Sequence, residues 1–155
     1  MTTYYDLHEF IKTRLDLQSF IREIVNVDIL LEDFDFHKCK TGLALVNISP
    51  TEFYDNHIMY NVNIQVMDKV DITNISNSDL YTGGTNVIDV YNTTLASLRK
   101  LYANIKEFVI GSTKYQIDGT PSIDKLEEPI LTFRGFQLDM NIRVDDDLTN
   151  VCINE

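Results

Sequence analysis

No apolar run in this chain approaches the roughly 20 residues that a membrane-spanning helix needs,. The first residues, MTTYYDLHEF, have neither a basic region nor an apolar signal core, so secretion is not expected,. Basic residues are few: 13 Lys+Arg stand against 24 Asp+Glu, a net charge of -11. Phosphate contacts need a basic surface, so specific nucleic-acid binding is not expected, nor is an anionic membrane partner. Cysteine is scarce too, with Cys39 and Cys152 far apart in the chain. Two ordinary thiols in a reducing compartment account for them. His37 beside Cys39 supplies too few ligands for a zinc site, and no cofactor is expected.

Catalytic patterns are missing as well. His8, His37 and His57 lie in no nucleophile-elbow or HExxH context,. Gly83-Gly84 precedes a helix, but the Gly-x4-Gly-Lys-Ser/Thr phosphate loop is absent,. Asp28, Glu32, Asp33 and Asp35 cluster without the glycine or ligand order of an EF-hand, which fits a solvated acidic edge,. An acidic protein always offers carboxylate pairs, and a pair without geometry is no acid–base catalyst. The chain is therefore expected not to be an enzyme.

What is present is pattern. At 155 residues and 44% hydrophobic content, a single globular domain is expected,. Ile58, Tyr60, Val62, Ile64 and Val66 alternate with Met59, Asn61, Asn63, Gln65 and Met67, the period of two of a half-buried strand,. Gly42 to Ser49 is apolar on both faces, predicting a central strand that Pro50 ends and that pairs antiparallel with Ile58–Asp68,. Phe136, Leu138, Met140, Ile142 and Val144 alternate with Gln137, Asp139, Asn141 and Arg143 and predict a second clean strand,.

Two helices are expected. Tyr4, Leu7, His8, Ile11 and Leu15 share one side of the first, with His8 a boundary residue,. Leu17 to Val25 either extends it or begins another element. The second starts at Asn86, with Asp89 close to a capping box,. Ile88, Tyr91, Leu95, Leu98, Tyr102 and Ile105 form its apolar face, widened by Val87, Leu101 and Phe108, and Gly111 stops it,. Between strand and helix lies the long polar loop Val70–Thr85. Beyond the helix, Ser112–Ile117 predicts a short strand, Asp118-Gly119-Thr120-Pro121 a turn, and Ile123–Pro129 an acidic surface excursion,. The fold class is α+β: an antiparallel sheet with the N-terminal helix and the long helix packed on one face.

The outward strand residues Asn61, Asn63, Gln65, Gln137, Asp139, Asn141 and Arg143 are polar but mostly uncharged. They suit a solvated sheet face or a wet subunit contact, since amides hydrogen-bond well across polar interfaces. Asp79, Tyr81, Gly83 and Gly84 in the polar loop join Asn61, Asn63, Gln65, Asp139, Asn141 and Arg143 as interface candidates,.

MYNVNIQVMDKVDITN, a polar loop and NVIDVYNTTLASLRKLYANI together resemble a group of small virion proteins of tailed phages, including the crAss-like phages. The matched positions are Met67, Asp68, Val70 and Asp71 at the strand end, then Asp89, Val90, Asn92 and Thr93 at the helix start. Gly135, the strand Phe136–Val144 and the late Cys152 complete them. The order of elements is also similar to tail-terminator and neck proteins. The group is expected to end this strand with a proline, where Asp145-Asp146-Asp147 stands here. The resemblance implies a tail-terminator-like fold and a structural subunit of a homo-oligomeric ring. That ring would sit in the virion at the head–tail junction or upper tail, against portal, connector or tail proteins, after assembly in the host cytoplasm. A tail terminator or completion protein, and a chaperone-like binding module for assembly, remain alternatives. Val70–Thr85, Ile123–Pro129 and the C-terminal tail are the expected arms, and carboxylates lining a lumen would let DNA pass without sticking.

Overall fold

The computed structural model describes residues 3–27, 42–70, 86–126 and 133–145. Helix α1 (Thr3–Asp16) leads into strand β1 (Glu23–Asn26), followed by β2 (Leu43–Phe53) and β3 (His57–Lys69). The long helix α2 (Val87–Ile110) comes next, then β4 (Tyr115–Lys125) and β5 (Phe133–Asp145). The strands make one sheet in the order β1-β2-β3-β5-β4. This is the expected α+β class, with both helices contributing to one core on one side of the sheet.

The sheet is mixed rather than antiparallel throughout, because β1 pairs with β2 in parallel, Glu23 opposite Leu43 and Asn26 opposite Val46. A parallel pair needs a long return connection, and residues 27–42 supply it,. Leu17–Val25 thus does not extend α1. The chain turns through Gln18 and Ile21, where Ile21 N–H donates to the Gln18 carbonyl at 3.1 Å, and enters the sheet at its edge. Gly42 makes that entry possible: its φ is +80°, and a Cβ there would lie 2.1 Å from the Phe20 carbonyl oxygen. Only glycine tolerates both conditions.

The predicted β2–β3 hairpin is present, with Val46 opposite Ile64 and Asn47 opposite Asn63. Pro50 does not end β2, which runs on to Phe53 through a register shift between Pro50 and Glu52. Pairing with β1 stops at Val46. Beyond it no described strand needs the N–H that proline lacks, which is where an edge tolerates proline. β3 and β5 pair along their whole lengths, from His57 opposite Asp145 to Lys69 opposite Phe133. Gly135 sits in this ladder where a Cβ would come within 1.9 Å of the Val66 carbonyl oxygen.

β4 corrects two further expectations. Tyr115–Ile117, the second half of the expected Ser112–Ile117 strand, and the Asp118–Pro121 turn belong to a single strand that bulges between Asp118 and Ser122. Gly119 has φ +70° at the bulge, and Pro121 marks an edge strand. Ile123–Lys125 is strand, not excursion; residues 127–129 lie outside the described residues.

Helix α2 spans the expected residues, but its buried face is rotated. Val90, Thr94, Ser97, Leu98, Leu101, Ile105 and Val109 face the sheet, while Ile88, Leu95 and Phe108 are exposed. Small hydroxyl residues permit close approach to the strands. The Thr94 hydroxyl is satisfied within the helix, donating to the Val90 carbonyl at 2.8 Å,. Asn86 makes no side-chain cap hydrogen bond, and Gly111 ends the helix at φ -85° rather than in the left-handed region. A tightened last turn replaces the glycine cap, with Gly111 N–H donating to Phe108 at 3.2 Å and Ser112 N–H to Val109 at 3.0 Å,.

Candidate functional site: the outer face of the sheet

With both helices on one side, alternation sends Ala44, Val46, Ile48, Tyr60, Val62, Ile64 and Val66 into the core with Leu138, Met140, Ile142 and Val144,. The intervening residues make the opposite face. Register sets them in cross-strand rows: Asn61 opposite Asn141, Asn63 opposite Asp139, Gln65 opposite Gln137. β2 extends the rows with Ser49 opposite Asn61 and Asn47 opposite Asn63.

The rows are knitted by side chains. Asn61 Nδ2 donates to Asn141 Oδ1 at 3.3 Å. Asn63 Nδ2 donates to Asp139 Oδ1 at 2.8 Å, and Gln137 Nε2 reaches Asp139 Oδ2 at 3.4 Å. Arg143 Nε donates to Asp145 Oδ1 at 2.9 Å. Six sequence-predicted residues, Asn61, Asn63, Gln65, Asp139, Asn141 and Arg143, therefore share one face. Asp79, Tyr81, Gly83 and Gly84 lie outside the described residues, as do His37, Cys39 and Cys152.

The amide rows occupy only part of this face. At one end Leu43, Leu45, Met67 and Phe133 form a second buried cluster, with Val25 and Leu126 against it. Its burial explains why β2 is apolar on both sides at its start. At the other end, below the β2–β3 hairpin, the rows open into a cleft of about 330 Å³ lined by Thr51, Glu52, Tyr54, His57, Met59, Asp118, Asn141 and Arg143.

Sequence reading assigned only Asn141 and Arg143 of these to a site. The others come together through register, since Asp118 on β4 faces Asn141 on β5 and Met59 on β3 faces Arg143. The alternation of β3 carried back past Asn61 would have marked Met59 and His57, whereas Glu52 follows a register shift in β2 and Asp118 lies on β4. The Tyr54 ring stacks on His57 with centroids 4.3 Å apart. Its hydroxyl donates to the Glu52 carboxylate. That hydrogen bond first, then the charges of Glu52 and Asp118, hold the Tyr54 hydroxyl above its ordinary pKa,.

A second opening lies on the helix side. Tyr4, Tyr5, His8, Glu9 and Lys12 of α1 face Ile24, Val25 and Asn26 of β1, with Val46 between, around a groove of about 610 Å³. Tyr4 anchors the helix end, its hydroxyl donating to the Ile48 carbonyl at 3.1 Å. His8 lies edge-on to the Tyr4 ring at 4.5 Å and within 3.5 Å of Asn26, at the margin of the core as its boundary reading implies.

Among the described residues no group of three or more His, Cys, Asp and Glu is arranged to hold a metal ion, and no helix is long and apolar enough to cross a membrane. No protein-family model and no curated protein matches the chain.

Proposed function

We propose that this chain is a structural subunit of a tailed-phage virion, forming a homo-oligomeric ring at the head–tail junction or at the top of the tail. One observation carries the proposal beyond the sequence resemblance. The helices cover a single side of the sheet, and the other side presents amide rows whose members are partly exposed. Such a face is costly to bury against an apolar partner and cheap to bury against another polar one, because amides exchange water for hydrogen bonds with little net cost. A ring needs no active site; it needs two different patches that meet on successive copies. The net charge of -11 adds a second reason. Like charge weakens adventitious contact with DNA and leaves only specific contacts to hold an assembly together.

Native mass spectrometry of the purified chain, alone and mixed with the portal and tail components of its virion, tests the proposal. A closed ring, or assembly triggered by one component, is the expected result and gives the copy number. A chain that stays monomeric with every component overturns it in favour of an assembly-binding module.

A further inference from the structure

We infer that the β2–β3 hairpin tip of one copy docks in the α1–β1 groove of the next. The inference rests on the ring reading and names the contact that would build it. The tip carries exposed aromatic surface: Phe53 is 80% exposed, and Tyr54, although stacked on His57, is still 51% exposed. Aromatic rings of this size contribute strongly at interfaces when buried.

The same chain supplies a hole. The groove beside Val46 is walled by the rings of Tyr4 and Tyr5 and by Ile24 and Val25, a lining that is mainly apolar. Tyr5 is 64% exposed there. Phe53 lies seven positions along β2 from Val46, roughly 23 Å at the rise of a strand, so a tip is far from its own groove. A knob and a hole at separate places on one molecule make a heterologous contact. That is the kind that closes rings.

Charge fits the same pairing. The tip carries Glu52 and Asp55 beside its aromatics, and Lys12 stands on the groove rim next to Glu9. In a chain of net charge -11 a cation at the receiving site matters, since acidic copies otherwise repel,. Two rings bury about 300–500 Å², less than the roughly 800 Å² per partner of a stable interface. The knob is therefore the anchor of a wider contact.

The test uses the full chain under whatever conditions the wild type assembles. Phe53→Ser and Tyr5→Glu alter exposed side chains on opposite sides of the contact, so circular dichroism should show both variants folded. Each is expected to lower the ring fraction by about tenfold or more, the loss typical of an interface anchor. A benzophenone side chain replacing the Phe53 ring is expected to photo-crosslink to Tyr4–Lys12 or Ile24–Asn26 of another copy. Rings that form normally with Phe53→Ser, or crosslinks that map elsewhere, overturn the inference and leave the ring reading standing. A wild-type chain that assembles with nothing overturns both.

Discussion

Ile64 and Asn63 are adjacent in sequence and lie on opposite sides of β3. Ile64 is completely buried in the main core, opposite Val46 and Leu138. Replacing it with alanine leaves a cavity among side chains that cannot fully collapse, and Ile64→Ala is expected to cost about 2–5 kcal/mol. Asn63 is partly exposed and donates to Asp139. Asn63→Ala should cost about 0.5–1.5 kcal/mol, the usual worth of one such bond. Urea denaturation of the two variants measures both. A larger loss at Asn63 than at Ile64 would mean that the strand presents its other face to the core. Residue-level burial in β3 and β5 was legible because a period of two leaves only two choices, and the wrong one would bury Asn61, Asn63 and Gln65 on β3 and Gln137, Asp139, Asn141 and Arg143 on β5.

A helix offers more choices than a strand, and α2 shows the consequence. Counting large apolar residues picks the stripe through Ile88, Tyr91 and Leu95, whereas the packed stripe runs through Val90, Thr94 and Ser97. The two stripes share Leu98, Leu101 and Ile105, so the error is a rotation rather than a wrong element. Small hydroxyl residues give no hydrophobic signal, yet they are what lets a helix sit down on a sheet. Thr94 returns its hydroxyl to the helix backbone. The Ser97 hydroxyl is buried with no hydrogen-bond partner. Ser97→Ala removes an unsatisfied polar atom and raises helix propensity, so it should stabilise the fold by about 0.5–1 kcal/mol. A thermal melt reads the gain as a higher Tm; a lower Tm would show that the hydroxyl has a partner in solution. The sheet's own elements were misread where chemistry was local: Pro50 and Asp118–Pro121 look like stops, but each sits where an edge absorbs the irregularity.

Across the whole molecule, both helices and the edge strand meet at Tyr115. Its ring stacks on Phe10 of α1 at 5.0 Å and lies 6.5 Å from Phe108 of α2. Next to it the Lys114 ammonium pairs with Asp6 of α1 at 2.7 Å. Burial pushes the Tyr115 hydroxyl above its ordinary value of 10.0, with the nearby Lys114 charge opposing and Asp6 adding,. A tyrosine whose folded pKa is raised stabilises the fold fully below the unfolded value. That contribution is lost as pH rises through the folded pKa. The protein should therefore lose stability in alkali above about pH 10, and Tyr115→Phe should lose less over the same range. Urea midpoints from about pH 9 to about pH 11 compare them, and parallel curves would remove Tyr115 as the cause.

The α+β class, the β2–β3 hairpin, the two alternating strands and the polar outer face with Asn61, Asn63, Gln65, Asp139, Asn141 and Arg143 on it were determined by the sequence alone. They follow from patterns that repeat every two residues and need no knowledge of neighbours. Tertiary structure alone decided the parallel entry of β1, the rotation of α2, the cleft that brings Glu52, Tyr54 and Asp118 to Asn141 and Arg143, and the groove between α1 and β1. Each of these joins segments far apart in the chain. What selects them is the fit of surfaces in three dimensions, which no local periodicity encodes.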